Sequence, residues 1–314
     1  MDFQSLHRAV RAVAVLVAGA ASLTACSAGA PSANASSTPA LTVAQPTPSH
    51  VATIPTVSGL SLPIEPYLLT QATNTEMLRA SGVLIQQCMT RYGFSYTPPN
   101  FAANDPASDV ANMPRRYGVT DMAMAQKYGY HNPATMGSPS TGAPAPQPMS
   151  ESEQLVFLGN TPGGGFEHAS QVYQGQQIPQ GGCSGDAQRK LGTGMNQRLA
   201  ENIDDTSYNQ SLANPVLLAA FTKWSGCMKQ SGYSVSTPAQ APGFRLKPSP
   251  TTAEIQMAET DVTCKKQANV IGVWFAVESA IQNKLIAQNE EALTELKQSE
   301  QETLKKAAQV LQGS

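Results

Sequence analysis

The stretch CMTRYGFSYTP, from Cys88 to Pro98, returns as CMKQSGYSVSTP, from Cys227 to Pro238. Each copy has Cys-Met, three variable residues, Gly, an aromatic, Ser and a Thr-Pro exit. Upstream of the first, Met77, Leu78, Val83, Leu84, Ile85, Cys88 and Met89 recur at helical spacing over residues 75–92. Gly93 then stands where a left-handed cap ends a helix. Upstream of the second, Asn214-Pro215 supplies an N-cap and a proline at the first helical position. Val216, Leu217, Phe221, Trp224, Cys227 and Met228 form the apolar stripe, and Gly232 closes it. The downstream cysteines share Cys-x-x-x-Ala, in Cys183–Ala187 and Cys264–Ala268. Helical steps follow both, through Leu191, Met195, Leu199 and Ile203, and through Val270, Trp274, Val277, Ile281 and Leu285. The repeated unit is thus a helix ending in Cys, a Gly-aromatic turn, a Pro-containing loop and a Cys near or within the next helix. Each unit reads as a helical hairpin pinned by its own disulfide, Cys88–Cys183 and Cys227–Cys264. Four cysteines admit three pairings, and sequence leaves the other two open.

The expected fold is mainly α: duplicated disulfide-pinned hairpins, a long loop insertion and an extended C-terminal helix. Repeat one covers 64–206 with its insertion at 98–182, and repeat two covers 207–314. Within the insertion, Thr120 or Asp121 can cap a short helix ended by Gly129, and SESEQLVFLG offers one or two turns. TPGGGFEHAS and VYQGQQIPQGG read as loop. From Thr251, with Glu254 completing a capping box, helix is expected almost unbroken to about Leu311. Its apolar stripe thins past Leu285 to Leu293, Leu296, Leu304, Ala308 and Leu311, which either pack back on the body or form a seam for a partner.

Residues 1–25 read as a targeting segment. His7, Arg8 and Arg11 precede an apolar run from Ala12 to Ala25 that is too short to stay in a bilayer as a span. It ends in Leu23-Thr24-Ala25-Cys26, which resembles the bacterial lipobox. That resemblance implies cleavage before Cys26 and a diacylglyceryl thioether on it, with the two-chain anchoring that one acyl chain does not provide. Residues 26–63 then read as a disordered tether, rich in Ala, Ser, Thr and Pro, with no Asp, Glu, Lys or Arg after Cys26. The expected location is the outer face of the cell membrane, where an oxidising compartment suits the cysteines.

Little in the sequence points to catalysis. Formal net charge is −2 with 13% charged residues, and no basic face forms, so nucleic acid is not an expected partner. Beyond Cys26 the histidines are His50, His131 and His168, and neither Gly-x-Ser-x-Gly nor His-Glu-x-x-His occurs. Glu151, Glu153, Glu167, Asp204 and Asp205 are available for wall-polymer hydrolysis, yet no spacing selects a pair. Met122 and Met124, near Met113 and Met136, are soft donors of the kind that hold Cu(I), or gap-fillers in a core. The cysteines lack the spacing of a zinc site, and no cofactor is expected. Arg115, Arg116, Tyr117, Tyr128 and Tyr130 cluster in the insertion and form the candidate binding surface, for an envelope protein or wall glycan.

The lipobox, the paired CMxxxG[FY] and CxxxA motifs, RRYGVTDMAMAQKYGYH and the Gln/Glu/Lys-rich C-terminus together resemble uncharacterised secreted lipoproteins of actinobacteria. The resemblance implies lipid anchoring and no catalytic residue. The function expected is therefore a membrane-anchored, outward-facing binding module. An envelope enzyme using Glu/Asp and Met-based copper handling are the alternatives.

Overall fold

The computed structural model describes residues 41–99, 111–136, 149–160, 171–192, 197–242 and 246–313, and the body they form is mainly helical. The long helix α1 (Gln71–Arg91) precedes the insertion, which contains α2 (Met113–Arg116), α3 (Met122–Tyr128), α4 (Pro133–Met136) and α5 (Glu151–Leu158). A short antiparallel ladder, β1 (Val172–Tyr173) with β2 (Gln176–Gln177), leads into α6 (Gly182–Leu191) and α7 (Arg198–Ser211). The chain ends with α8 (Pro215–Gln230), α9 (Thr252–Gln267), α10 (Val270–Gln288) and α11 (Glu290–Gln312). Residues 1–25, expected as a signal segment, and Cys26, Glu167, His168 and the Gly163–Gly165 run lie outside the described residues.

The repeated motif is a device for ending a helix beside a disulfide. At the end of α1, Phe94 N–H donates to Met89 O (3.1 Å) and Gly93 N–H to Thr90 O (3.0 Å), with Gly93 at φ 81°. At the end of α8, Tyr233 N–H donates to Met228 O (3.0 Å) and Gly232 N–H to Lys229 O (3.0 Å), with Gly232 at φ 90°. Both are Schellman closures, in which the motif's Met and aromatic are the two residues that make the accompanying apolar contact. Met89 and Phe94 accordingly share one core cluster, and Met228 and Tyr233 the other. The Cys one residue before each Met is bonded as the repeat implied: Cys88 to Cys183 and Cys227 to Cys264, each with Cα atoms 5.6 Å apart. The partner cysteines are not equivalent in their helices. Cys183 sits in the first turn of α6, whereas Cys264 sits in the last turn of α9.

Two main apolar cores result, with a small third cluster of Val119, Ala125, Ala258 and Val262 between α3 and α9. In the larger, Trp274 of α10 is the hub, 4.9 Å from the Tyr117 ring, 5.1 Å from Phe221 and 5.5 Å from Tyr208. Its indole N–H donates to Ser211 Oγ (2.8 Å), so the ring is buried without an orphan donor. α10 is long and apolar enough to cross a bilayer, but here it is packed against α7 and α8. The smaller core joins Leu84, Ile85 and Met89 of α1 to Val156 of α5, Ala187 and Leu191 of α6 and Ala307 of α11. α11 touches both cores, giving Leu293 and Leu296 to the larger and Ala307, Val310 and Leu311 to the smaller. Leu293, Leu296 and Leu311 of the seam therefore pack back on the body, and α11 runs largely along α1.

Four expectations need correction. Residues 41–63 are not tether: Leu62 and Ile64 are fully buried, and Leu41, Val43, Ile54 and Val57 pack against the larger core. Side-chain amides bind this strap's backbone, since it has no repeating ladder of its own. Asn214 donates to Pro46 O (2.8 Å), Gln210 to Leu41 O (2.7 Å) and Asn269 to Ala52 O (3.0 Å), while Asn269 also accepts from Ile54 N–H (3.1 Å). The C-terminal helix is not continuous either. It breaks at Asn269, whose left-handed φ of 49° frees its amide for the strap, and again at Asn289. Likewise the steps from Ala187 to Ile203 cross a break after Leu191, at Gly192 with φ 114°. VYQGQQ, expected as loop, forms the ladder through Gln174 and Gly175, whose positive φ values (46° and 79°) suit a two-residue I′ connection.

Gly272 in the first turn of α10 is where the strap comes closest, because a Cβ there would collide with Ala52 O. Gly272→Ala is expected to lift the strap and to cost about 1–3 kcal/mol, as overpacking does. Faster hydrogen exchange at the Ile54 amide, with protection in α1 unchanged, is the result that checks it.

Candidate functional site

The insertion is held to the helices by three polar clusters, and these decide where the candidate residues go. α2 begins after Asn112 and places Arg116 and Tyr117 inward. Arg116 is surrounded by acceptors: its Nη1 is 2.9 Å from Asp204 Oδ2 and 2.8 Å from Ala111 O, and its Nε is 2.9 Å from Glu278 Oε1. The guanidinium also lies 5.4 Å from the centre of the Tyr208 ring. Tyr117 donates to Glu278 Oε2 (2.7 Å), and Gln282 Nε2 reaches Ser207 Oγ (3.0 Å). Gln282 Oε1 in turn accepts from Ile64 N–H (3.1 Å), which fastens the end of the strap. Two carboxylates share one guanidinium here, so the cluster carries a surplus of negative charge. Burial pushes Asp204 up to about 6 in spite of Arg116. Burial alone would lower Arg116, but the hydrogen bonds and charges of Glu278 and Asp204 hold it above the ordinary arginine range.

Lys265, fully buried, donates to Asp261 Oδ2 (2.9 Å) and Val119 O (2.9 Å), and Asp261 Oδ1 accepts from the Trp224 indole (2.9 Å). This ties the start of α3 to α9 beside the Cys227–Cys264 disulfide. Burial, and then the Asp261 charge, raise Tyr130 far above the ordinary phenol value.

Glu254 departs from the capping box expected of it. Its N–H still donates to Thr251 Oγ1 (3.2 Å), but its carboxylate leaves the cap and accepts from Tyr130 N–H (2.9 Å). The same oxygen lies 2.8 Å from His131 Nδ1, and His131 Nε2 lies 2.7 Å from Lys247 O. Both ring nitrogens face acceptors, so only the imidazolium donates at both. The Lys247 carbonyl first, then Glu254, raise His131 above its ordinary value against an opposing effect of burial. A histidine with a raised folded pKa stabilises fully below its unfolded value and loses that contribution as pH rises through the folded one. His131→Ala is therefore expected to lower the urea midpoint more at about pH 5 than at about pH 9, either side of the unperturbed value. Equal losses at the two pH values would mean a neutral ring.

These contacts correct the binding surface read from the sequence. Arg116 and Tyr117 are buried and serve the core. Tyr130 is half-buried against α9, and Tyr128 is half-buried with Lys127 Nζ 5.0 Å from its ring centre. Arg115 alone of the five lines an open cleft. The cleft, of about 1000 Å³, lies between strap residues 56–60 and the insertion, with Met113, Pro114, Val119, Met124 and Pro133 among its walls. The strap was invisible to the sequence argument as a wall because it has no periodicity; Val57, Gly59 and Leu60 gave no signal.

The other candidates are dispersed. Glu151 and Glu153 open α5, where Glu153 completes a capping box with Ser150. Asp204 is in the Arg116 cluster and Asp205 is exposed. Met113 is buried in the larger core, Met122 packs beside Val119 and Ala125, and Met124 is exposed at the cleft. Comparison with family models, curated proteins and solved structures gives no match for this chain.

Proposed function

We propose that this chain is a lipid-anchored binding module on the outer face of a bacterial cell membrane, which takes its ligand in the cleft between strap and insertion. The cleft carries the reading. It has the size of a small-molecule site and a lining in which apolar surface predominates, as binding pockets have. Its two walls are fixed by the Asn269, Arg116 and His131 contacts, so it is preformed. Anchoring rests on Leu23-Thr24-Ala25-Cys26 and on the resemblance to secreted actinobacterial lipoproteins. Cys26→Ala is expected to move the protein from the membrane to the soluble fraction; a variant that stayed with membranes would overturn the anchoring. For the cleft, a photo-cross-linking residue at Met124 is expected to capture an envelope molecule in intact cells, while one at exposed Lys305 does not. Equal capture at both positions would end the case for the cleft.

The body is, on this reading, two copies of one hairpin. Besides the paired helix closures, one side-chain bond recurs at matched positions. Gln86, two before Cys88, donates to Tyr96 O eight after it (3.0 Å). Ser225, two before Cys227, donates to Val235 O eight after it (2.6 Å). Both bonds hold the Thr-Pro exit against the helix just ended.

A further inference from the structure

The chemistry of the cleft indicates what it binds, given the reading above that it is the binding site. Its walls offer apolar surface from Val57, Leu60, Met113, Val119 and Met124. Met124 is 43% exposed, an unbranched thioether side chain free to adapt to a guest. Five of the backbone donors around the cleft are already spent. Val57 N–H goes to Thr120 Oγ1 (3.4 Å), Ser58 N–H to Thr56 Oγ1 (3.3 Å) and Leu60 N–H to Val57 O (3.1 Å). On the opposite wall Arg115 N–H goes to Asn112 O (2.9 Å) and Met124 N–H to Asp121 Oδ1 (2.8 Å). A peptide laid along these walls as an added strand would find those donors taken. A guest that asks for no backbone hydrogen bonds suits them.

Among the described residues, one charge in the cleft has no ion-pair partner. Arg115 donates through Nη1 to Tyr130 O (3.4 Å) and through Nη2 to His131 O, which among the described residues leaves donors of its five unused. No carboxylate among the described residues forms an ion pair with it; their arginine ion pairs are those of Arg91, Arg116 and Arg189. Asp121 lines the same cleft but is turned to cap α3. Burial lowers Arg115 from the ordinary arginine value, the direction taken by a cation losing water without gaining an anion.

We propose that the cleft binds an anionic amphiphile, whose apolar chain lies against Val57, Leu60, Val119 and Met124 and whose carboxylate is held by Arg115. Decanoate below its micelle concentration is the probe, with 1-decanol as its neutral counterpart, titrated calorimetrically into the full chain. Saturable one-to-one binding of decanoate is expected, with 1-decanol about 10- to 100-fold weaker, the range of a hydrogen bond to a charged group. Arg115→Gln is expected to bring decanoate down to the level of 1-decanol and leave 1-decanol unchanged, and Arg115→Lys to restore part of the difference. Arg115 also holds the Tyr130–His131 turn, so Met124→Glu, at an exposed side chain, is a second variant. It is expected to weaken decanoate more than 1-decanol. Equal affinity for acid and alcohol in the native chain, or an undiminished preference for the acid in Arg115→Gln, overturns the amphiphile. Capture at Met124 in cells together with either result would leave the cleft a binding site for some other ligand. Failure of capture as well would remove both readings.

Discussion

Arg116→Met is expected to destabilise the body by about 3–5 kcal/mol, the cost of removing one partner from a buried ion cluster. The side chain that enters is apolar and similar in length, so the loss comes mainly from Asp204 and Glu278, left buried without their cation. Adding Asp204→Asn and Glu278→Leu to the same chain is expected to recover much of the loss, because neutral partners no longer need the guanidinium. Equilibrium urea unfolding of the single and triple variants measures both. A triple variant no more stable than Arg116→Met would show that packing around Tyr208 and Trp274, not charge, is what Arg116 supplies. The pH dependence has a definite sign. A carboxyl held above its unfolded value costs stability while ionised, and that cost disappears as pH falls through the folded value. For Asp204, raised to about 6, the native chain is therefore expected to gain stability on mild acidification from neutral pH. Without Arg116 the gain should be larger.

Removing the Cys88–Cys183 bond by paired substitution to Ser is expected to cost about 4–5 kcal/mol, and removing Cys227–Cys264 about 4, from the entropy of the loops they close. The loops span 95 and 37 residues, and that difference alone sets the order. The long loop contains the whole insertion, so the first variant should also loosen α5 and α6, the neighbours of α1. Differential unfolding of the two double mutants tests the ranking. A larger loss from the shorter loop would mean that contacts at α8 and α9, rather than chain entropy, dominate.

What the sequence made legible was local. The CMxxxG[FY] closures, the Asn214-Pro215 start of α8 and the short helix from Asp121 to Gly129 depend on residues within a turn or two of each other. The repeat favoured the disulfide pairing that forms, while leaving the other two open. What escaped was set by partners far along the chain. Arg116 looked like surface because Asp204 and Glu278 lie 88 and 162 positions away. The strap looked disordered because its backbone is satisfied by Asn214, Gln210 and Asn269, and composition carries no trace of such bonds. Asn269 also broke a helix that periodicity ran straight through, since its apolar neighbours keep the step on both sides. The cleft was lost for the same reason as the strap, and of the five residues singled out only Arg115 belongs to it.

The packing of α11 along α1 has a consequence for how the chain is made. α1 is the first long helix of the body to emerge from the ribosome, and the helix that covers it is the last. Roughly 200 residues separate them, which at 5–20 residues per second means a wait of roughly 10–40 s before the smaller core can close. During that time Leu84, Ile85 and Met89 have no Ala307 or Val310 to pack against. On the proposal that the chain is exported, the delay keeps the body open enough to be threaded across a membrane. The architecture thus postpones the closure of its smaller core until α11 has been synthesised.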